Sequence, residues 1–280
     1  MKLIESKVEL IEQQPGLEGM YKHIELAGRV SYKSEDKITE DSAKEFVDRM
    51  IKSKHGAVLE HGTVYLKARS SYDEDGLLDV PLHLFPWFFE KNPYSKVRRI
   101  ESEDVCNWYI TTNMRVIVEN NLYDCLKYIC EPTEIHEKRI TAKFTIDRIN
   151  SQSIVRHRTM SFTQESQRFC NYSKDKFNNE VTFVKPHWFN EEFPASLTWI
   201  EAMKDAEKRY FELIEMGLKP QDARGVLPNE TKTEIVVTGF ESDWEHFFSL
   251  RSPKYGAQGP HPNIAKLADE LYEKLNSVNK

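Results

Sequence analysis

The stretch Arg156-His157-Arg158-Thr159-Met160-Ser161-Phe162-Thr163-Gln164-Glu165-Ser166-Gln167-Arg168 sets a basic triplet ahead of a run of hydroxyl and amide side chains and closes on a further arginine. It follows directly on the apolar pair Ile154-Val155, so the cations stand at the border of a core. Guanidinium forks match the geometry of phosphate and carboxylate oxygens, and short hydroxyl or amide side chains with backbone N–H groups complete a cradle for an anion. The ligand that suits this pattern is anionic. An Arg-His-Arg triplet alone is more often part of a solvated loop. What raises this one is its spacing, R-H-R, seven residues, Ser166, one residue, Arg168.

That spacing resembles the signature of the flavin-dependent thymidylate synthases, FAD enzymes that methylate dUMP with 5,10-methylenetetrahydrofolate and NADPH. Three other blocks carry the same likeness: the H-x4-E-H of His55 to His61, Ala223-Arg224-Gly225-Val226-Leu227-Pro228, and the run from Thr238-Gly239 through Trp244, His246 and Phe247 to Arg251. The likeness covers roughly residues 27–69, 141–173 and 217–280. It implies dUMP contacts from Ser153, Arg156, Gln164, Glu165, Ser166, Gln167, Arg168, Arg224 and Arg251, with Arg251 acting on the uracil ring as the catalytic residue. It implies FAD contacts from Ser31, His55, Glu60, Arg156, His157, Arg158, Gln164 and His246. It further implies a homotetramer whose ligands bind where subunits meet, with hydride going to the pyrimidine C6 and the folate methylene to C5. The sequence departs from the common pattern at Thr163-Gln164, where Asn-Glu is usual, and at Ser153, Phe240 and Ser242.

Other chemistries fit less well. Neither G-x-G-x-x-G nor G-x4-G-K-[ST] occurs, so any dinucleotide must be held by side chains rather than by a Rossmann turn or a P-loop. His55, Glu60 and His61 lack the H-E-x-x-H geometry of helical zinc sites, and no metal is expected. Ser161, Ser166, His157 and Glu165 invite a hydrolase reading, but no nucleophile elbow or S-x-x-K pattern surrounds them. Cys170 could suggest a covalent thiolate, yet its surroundings resemble the flavin class, which needs none. The rival from another class is a nucleotide- or RNA-binding protein without catalysis. A family member with altered activity is a second alternative.

The elements that must position these residues are legible in outline. Residues 3–13 read as a first strand, and Leu17, Met20, Ile24 and Ala27 as a helix running into Gly28-Arg29-Val30-Ser31-Tyr32. Ser42 with Glu45 reads as a capping box opening a second helix, and 63–68 alternates like a strand. Residues 70–140 read as an insertion of helices and loops, with turns at 73–76 and 91–93, core aromatics at 87–89 and 108–110, and a core stripe Val116, Ile117, Leu122, Leu126, Ile129. Ala142, Ile146, Ile149 and Ser153 predict a helix from about Thr141 to the triplet. A short strand is expected at 181–184, a long helix marked by Trp199, Met203, Ala206, Tyr210 and Leu213 that ends at Gly217, a shorter one from Pro220, and a strand at 235–238. A capped helix from Ser242 to Arg251 and a last helix from Pro262 follow.

The fold class expected is α/β (α+β), a single domain over 1–280 with a mixed sheet and flanking helices. A length of 280 residues with 39% hydrophobic content supports one sizeable core. The net charge of −6 argues against a general nucleic-acid binder, so the basic cluster is a local device. No long apolar run occurs and Met1-Lys2-Leu3-Ile4-Glu5 lacks a secretory pattern, so a cytoplasmic protein without membrane partners is expected. The cysteines, Cys106, Cys125, Cys130 and Cys170, show no C-x2-C spacing.

Overall fold

The structure, a computed structural model, describes residues 1–71, 86–102 and 105–278. The turn expected at 73–76 lies outside them. The expected first strand is two strands, β1 (Lys2–Ile4) and β2 (Lys7–Ile11), because the chain changes sheets between them. Helix α1 (Gly16–Tyr32) starts from Gly16 at φ +76°, a backbone state that favours glycine, and buries Met20, Ile24 and Ala27. Helix α2 (Ser42–Lys52) packs on it closely: a Cβ on Gly28 would come within 2.5 Å of the Phe46 ring. Ser42 does not cap in the expected way. Its hydroxyl accepts from the Thr39 N–H at 2.9 Å and donates to Glu25 Oε2 at 2.8 Å, which ties α2 to α1.

A short helix α3 (Gly56–Leu59) leads into β3 (Thr63–Ser71). After α4 (Pro86–Lys91) come β4 (Lys96–Glu101), β5 (Val105–Asn113) and α5 (Met114–Glu119). The reading of 70–140 as helices and loops is therefore corrected: β3, β5 and β4 form a three-stranded antiparallel sheet in that order. Val105 to Asn113 is rich in β-branched and aromatic residues. It lacks clean alternation because its second half is buried on both faces. The Asn113 side chain accepts from the Val116 N–H and starts α5. The stripe Val116, Ile117, Leu122, Leu126, Ile129 does join the core formed with Met20, Phe46, Leu66 and Ile110. Phe89 is fully buried, but Trp87 is exposed.

The second correction concerns the approach to the triplet. The span expected to be helical is mostly strand β6 (Arg139–Asp147), and only α6 (Arg148–Ile154) is helix. Ala142, Phe144 and Ile146 alternate into one core while Thr141 and Thr145 are buried on the opposite face, so burial on both sides hides the two-residue period. The Asp147 carboxylate caps α6 by accepting from the Asn150 N–H at 2.8 Å.

The remaining elements are β7 (Ser161–Gln164), β8 (Thr182–Val184), α7 (Pro194–Glu215), α8 (Pro220–Ala223), β9 (Lys232–Phe240), α9 (Glu241–Arg251) and α10 (Pro262–Val278). β2, β6, β9 and β7 form an antiparallel four-stranded sheet in that order, and β1 pairs with β8 in parallel. This is a mixed α/β architecture with helices flanking its sheets. On one face of the four-stranded sheet, Phe144, Ile235 and Val237 pack against Trp244 and Phe247 of α9 and Ile264 and Leu271 of α10. The other face meets α1 through Ala27, Val30 and Val236.

That second face also carries a buried polar row. His23 Nε2 meets Thr141 Oγ1 at 2.9 Å, Thr141 meets Thr238 at 2.8 Å, Thr238 meets His61 Nδ1 at 2.8 Å, and His61 Nε2 meets Thr163 Oγ1 at 2.9 Å. It stitches α1, β6, β9 and the turn after α3 to β7, the strand inside the basic motif. Among the described residues, no helix is long and apolar enough to cross a membrane.

Candidate functional site

The basic triplet occupies the corner between α6 and β7, and its members part company there. Arg156 and Arg158 are exposed and have no carboxylate partner among the described residues. His157 is turned inward, 6% exposed, with its ring 5.0 Å from Phe247 and 5.7 Å from His246. Burial, then the nearby Arg251 cation, hold its pKa down to about 4, so the ring is neutral at pH 7. Both of its nitrogens are buried without a partner among the described residues, and so is Nε of Arg251. Arg251 reaches the same corner from the end of α9, where its Nη2 donates to the Ser153 carbonyl at 3.2 Å. Burial, with Arg156 close by, lowers its pKa. Thr159 donates to Asp243 at 2.7 Å and pins the turn to α9. Ser153, Arg156, His157, Arg158, His246 and Arg251 are thus one cluster.

Asp243 has a second task that corrects the expected Ser242 cap. Its carboxylate accepts from the Phe240 N–H at 3.0 Å, so α9 begins at Glu241, and the Ser242 hydroxyl donates instead to Glu137.

Further along the motif the side chains serve other partners. Gln164 donates to Ser151 Oγ at 2.9 Å and to Thr233 Oγ1 at 3.1 Å, which turns it back toward α6. Glu165 is buried and accepts from Lys232 at 2.8 Å. Lys232 also meets Glu234 at 2.8 Å, and Lys33 meets Glu234 at 2.6 Å. Burial would raise the Glu234 pKa, but the two ammonium groups outweigh it and hold it at about 2. Only the backbone of Glu165 is therefore open to a ligand, and its N–H already bonds to Glu234 O. Cys170, next to this network, is pushed up to about 12 by burial and by Glu165, which makes it a poor nucleophile.

A second cluster forms where the motif crosses the end of α1. The Ser166 N–H donates to the Ser31 carbonyl at 3.0 Å, Ser166 Oγ accepts from the Arg168 N–H at 3.3 Å, and the Arg168 guanidinium lies 5.5 Å from the Phe169 ring centre. Gln167 is buried beside them. A cavity of about 710 Å³ opens here, with Phe169 and Tyr32 on one wall and His55 on another.

Two candidates stand apart. Glu60 accepts from Arg115 of α5 at 2.6 Å, and Arg224 donates to the Gln221 carbonyl at 3.1 Å. Neither shares a hydrogen bond or ion pair with the other candidates.

Sequence reasoning missed Arg139 and the lysine pair. Arg139 donates to the Glu60 carbonyl at 2.9 Å and to Ser161 at 3.1 Å, lies 5.5 Å from the Phe240 ring centre, and is held down to about 10 by burial. No carboxylate pairs with it among the described residues. A lone arginine in a charged stretch carries no signal of this. Lys232 and Glu234 were findable, since charges two apart on a strand share a face and need partners there.

The chain is 36% identical to the flavin-dependent thymidylate synthase of Pyrococcus abyssi and 37% identical to that of Pyrococcus furiosus. Each match extends over 114 residues, 40% of this chain and 46% of the relative. The matched segment therefore spans less than half the length of these curated relatives. Among solved structures, the UMP/dUMP methylase PolB from Streptomyces cacaoi bound with 5-Br dUMP aligns over 99% of this chain and 93% of its own, at TM-score 0.46 and 18% identity. Residues 124–279, more than half of the chain and including the basic corner, the motif and Arg251, match one family throughout: the chain belongs to the family described as thymidylate synthase complementing protein.

Proposed function

We propose that the chain is an FAD-dependent thymidylate synthase that reductively methylates dUMP to dTMP, using 5,10-methylenetetrahydrofolate and NADPH. Family membership and the names of the relatives support this reading. The observation that carries it is the basic corner. Among the described residues, three buried nitrogens on His157 and Arg251 find no partner and lie beside two exposed guanidinium groups without counter-ions. A buried polar group left unpaired costs about 1–3 kcal/mol, so a corner where three adjoin two exposed guanidinium groups suits completion by a polar, anionic ligand. These residues fit FAD: Arg156 and Arg158 suit its phosphates, while His157, neutral and able both to donate and to accept, suits its uncharged edges. FAD when bound supplies hydride chemistry that no side chain offers.

The chain's own part is positioning and electrostatics. Arg251, held in a half-buried site by Ser153, stabilises negative charge growing on the uracil, where low polarity strengthens its effect. Ser166, Arg168, Arg224 and the Glu165 carbonyl hold the nucleotide, the Glu165 and Ser166 N–H groups being taken by Glu234 and Ser31. His55, Glu60, Ser31, Gln164 and His246 flank the flavin side. Phe240 and Ser242 are engaged elsewhere, with Arg139 and Glu137, so the flavin contacts are narrower than the family pattern implies.

Assembly belongs to the same proposal. On one chain the candidates fall into two clusters, with Gln164 and Glu165 held by other partners between them and Glu60 and Arg224 outlying, and a homotetramer in which copies meet at the ligands brings them together. The three-stranded sheet between α3 and β6 is read as an insertion in the single domain. The test is direct. Purified protein should be yellow, absorbing near about 450 nm, sediment as a tetramer and oxidise NADPH in a dUMP-dependent way. A colourless protein without that activity would overturn the reading.

A further inference from the structure

The cavity beside Phe169 has walls for which the reading above gives no task. Its cations are Arg29 from α1, Lys37, Arg49 from α2, and Lys176 from the loop before β8. Arg29 is neutralised by Glu25, its Nη2 at 2.8 Å. The other three have no carboxylate within ion-pair reach among the described residues, and Lys176 donates only to the Lys33 carbonyl at 2.9 Å. The acid in the wall is Asp36. A concave surface with three uncompensated cations and one carboxylate concentrates anions.

Aromatic groups give the cavity a second character. The Tyr32 and Phe169 rings lie 5.0 Å apart, tilted by 42°, and Phe169 is 54% exposed. Arg29 and Arg49 rest on the Phe46 ring at 4.9 and 5.2 Å. The Arg29 fork is taken by Glu25, but Arg49, held on the ring with no carboxylate partner among the described residues, keeps its fork free and loses little freedom when it grips an oxyanion. Surface cations alone are usually just solvated. Here concavity and an exposed ring coincide.

We propose that this cavity is a ligand pocket that takes the multiply charged end, phosphate or clustered carboxylate, of a planar-ring co-substrate, with Arg49, Lys37 and Lys176 on the anion and Tyr32 and Phe169 against the ring. The anion follows from the walls; the co-substrate rests on the enzyme reading. Two sources share this chemistry, the 2′-phosphate of a nicotinamide dinucleotide and the glutamate tail of a folate.

The first test needs no enzyme activity. Inorganic pyrophosphate is titrated by calorimetry into the parent, Arg49→Gln and the double variant Arg49→Glu/Lys176→Glu. The parent should bind with an affinity that falls as salt is added, Arg49→Gln about threefold more weakly and the double variant at least about tenfold more weakly. Thermal unfolding should change little, because these exposed side chains hold no ion pair among the described residues and give up the Lys176 hydrogen bond to the Lys33 carbonyl and the Arg49 contact with Phe46. Equal affinity in all three proteins overturns the proposal. A colourless protein whose pyrophosphate binding still depends on Arg49 would sink the enzyme reading and leave the pocket standing. On flavin-loaded protein, KM is then compared between parent and double variant. A rise for NADPH but not NADH assigns the phosphate. A rise that grows with the number of folate glutamates assigns the carboxylates, and no rise for either overturns the assignment to a co-substrate.

Discussion

His23 and His157 are both buried, both near an arginine and both held at about 4, yet they belong to different kinds of site. His23 ends a row of histidines and threonines in which each link lies between 2.8 and 2.9 Å and joins separate elements. His157 has an aromatic neighbour on two sides and no partner for either nitrogen. The same residue type, equally desolvated, is satisfied from within in one place and left open in the other. The first pattern is what a fold needs. The second is what a ligand completes.

The comparison breaks most directly at the closed end. His61→Ala removes the link between Thr238 and Thr163 and leaves both hydroxyls buried without it, so it should cost about 2–4 kcal/mol in urea unfolding. A cost under about 1 kcal/mol would show that the row is not part of what holds the fold.

Acid should act on the same row. In the fold His23 titrates at about 4, below the 6.5 expected of an unfolded histidine. Between those values the unfolded chain binds a proton that the fold excludes. Stability is therefore complete above about pH 6.5, drains as pH falls, and levels off near 4, with about 3 kcal/mol lost through this residue. His23→Gln should flatten the stability–pH slope by up to about 1.4 kcal/mol per pH unit. An unchanged slope would mean that the proton is taken up elsewhere.

At the open end the effects should fall on activity. Arg251→Ala should stay folded, tetrameric and yellow yet lose about 100-fold or more in turnover, the scale of one deleted transition-state donor. Arg251→Lys should recover only part, since an ammonium lacks the guanidinium fork. Near-parent turnover of Arg251→Ala with saturating substrates would remove the role assigned to it. The smallest change is Ser166→Ala, which takes one hydroxyl from the nucleotide cradle. It should weaken dUMP binding by about 0.5–1.5 kcal/mol and leave turnover measurable. A covalent nucleotide adduct on Ser166 would contradict its reading as a contact.

Much of this contrast could not be read along the chain. His61 and Thr163 are separated by 102 residues and His61 and Thr238 by 177, so no local pattern announces their row. Arg139 gives no sign in sequence that it will be half-buried with no carboxylate partner among the described residues. β6 was mistaken for a helix because Ala142 and Ile146 fit a four-residue period as well as a two-residue one, and burial on both faces removed the polar residues that would have decided it. Elements with one wet face were legible: α1, α2, α7 and α10 show their stripes in the order of residues.

The sequence by itself determined which residues could hold an anion and in what order, because the spacing from Arg156 to Arg168 and the block ending at Arg251 are local facts about side-chain chemistry. It also determined most of the helices. Only the tertiary structure decided that His157 faces inward while its two arginines face out, that Gln164 and the Glu165 carboxylate are held by other partners, and that Lys37, Arg49 and Lys176 share one cavity. Those outcomes depend on which buried groups find partners across the sheet, and hydrogen bonds and ion pairs between distant strands are set by packing rather than by neighbours in the chain.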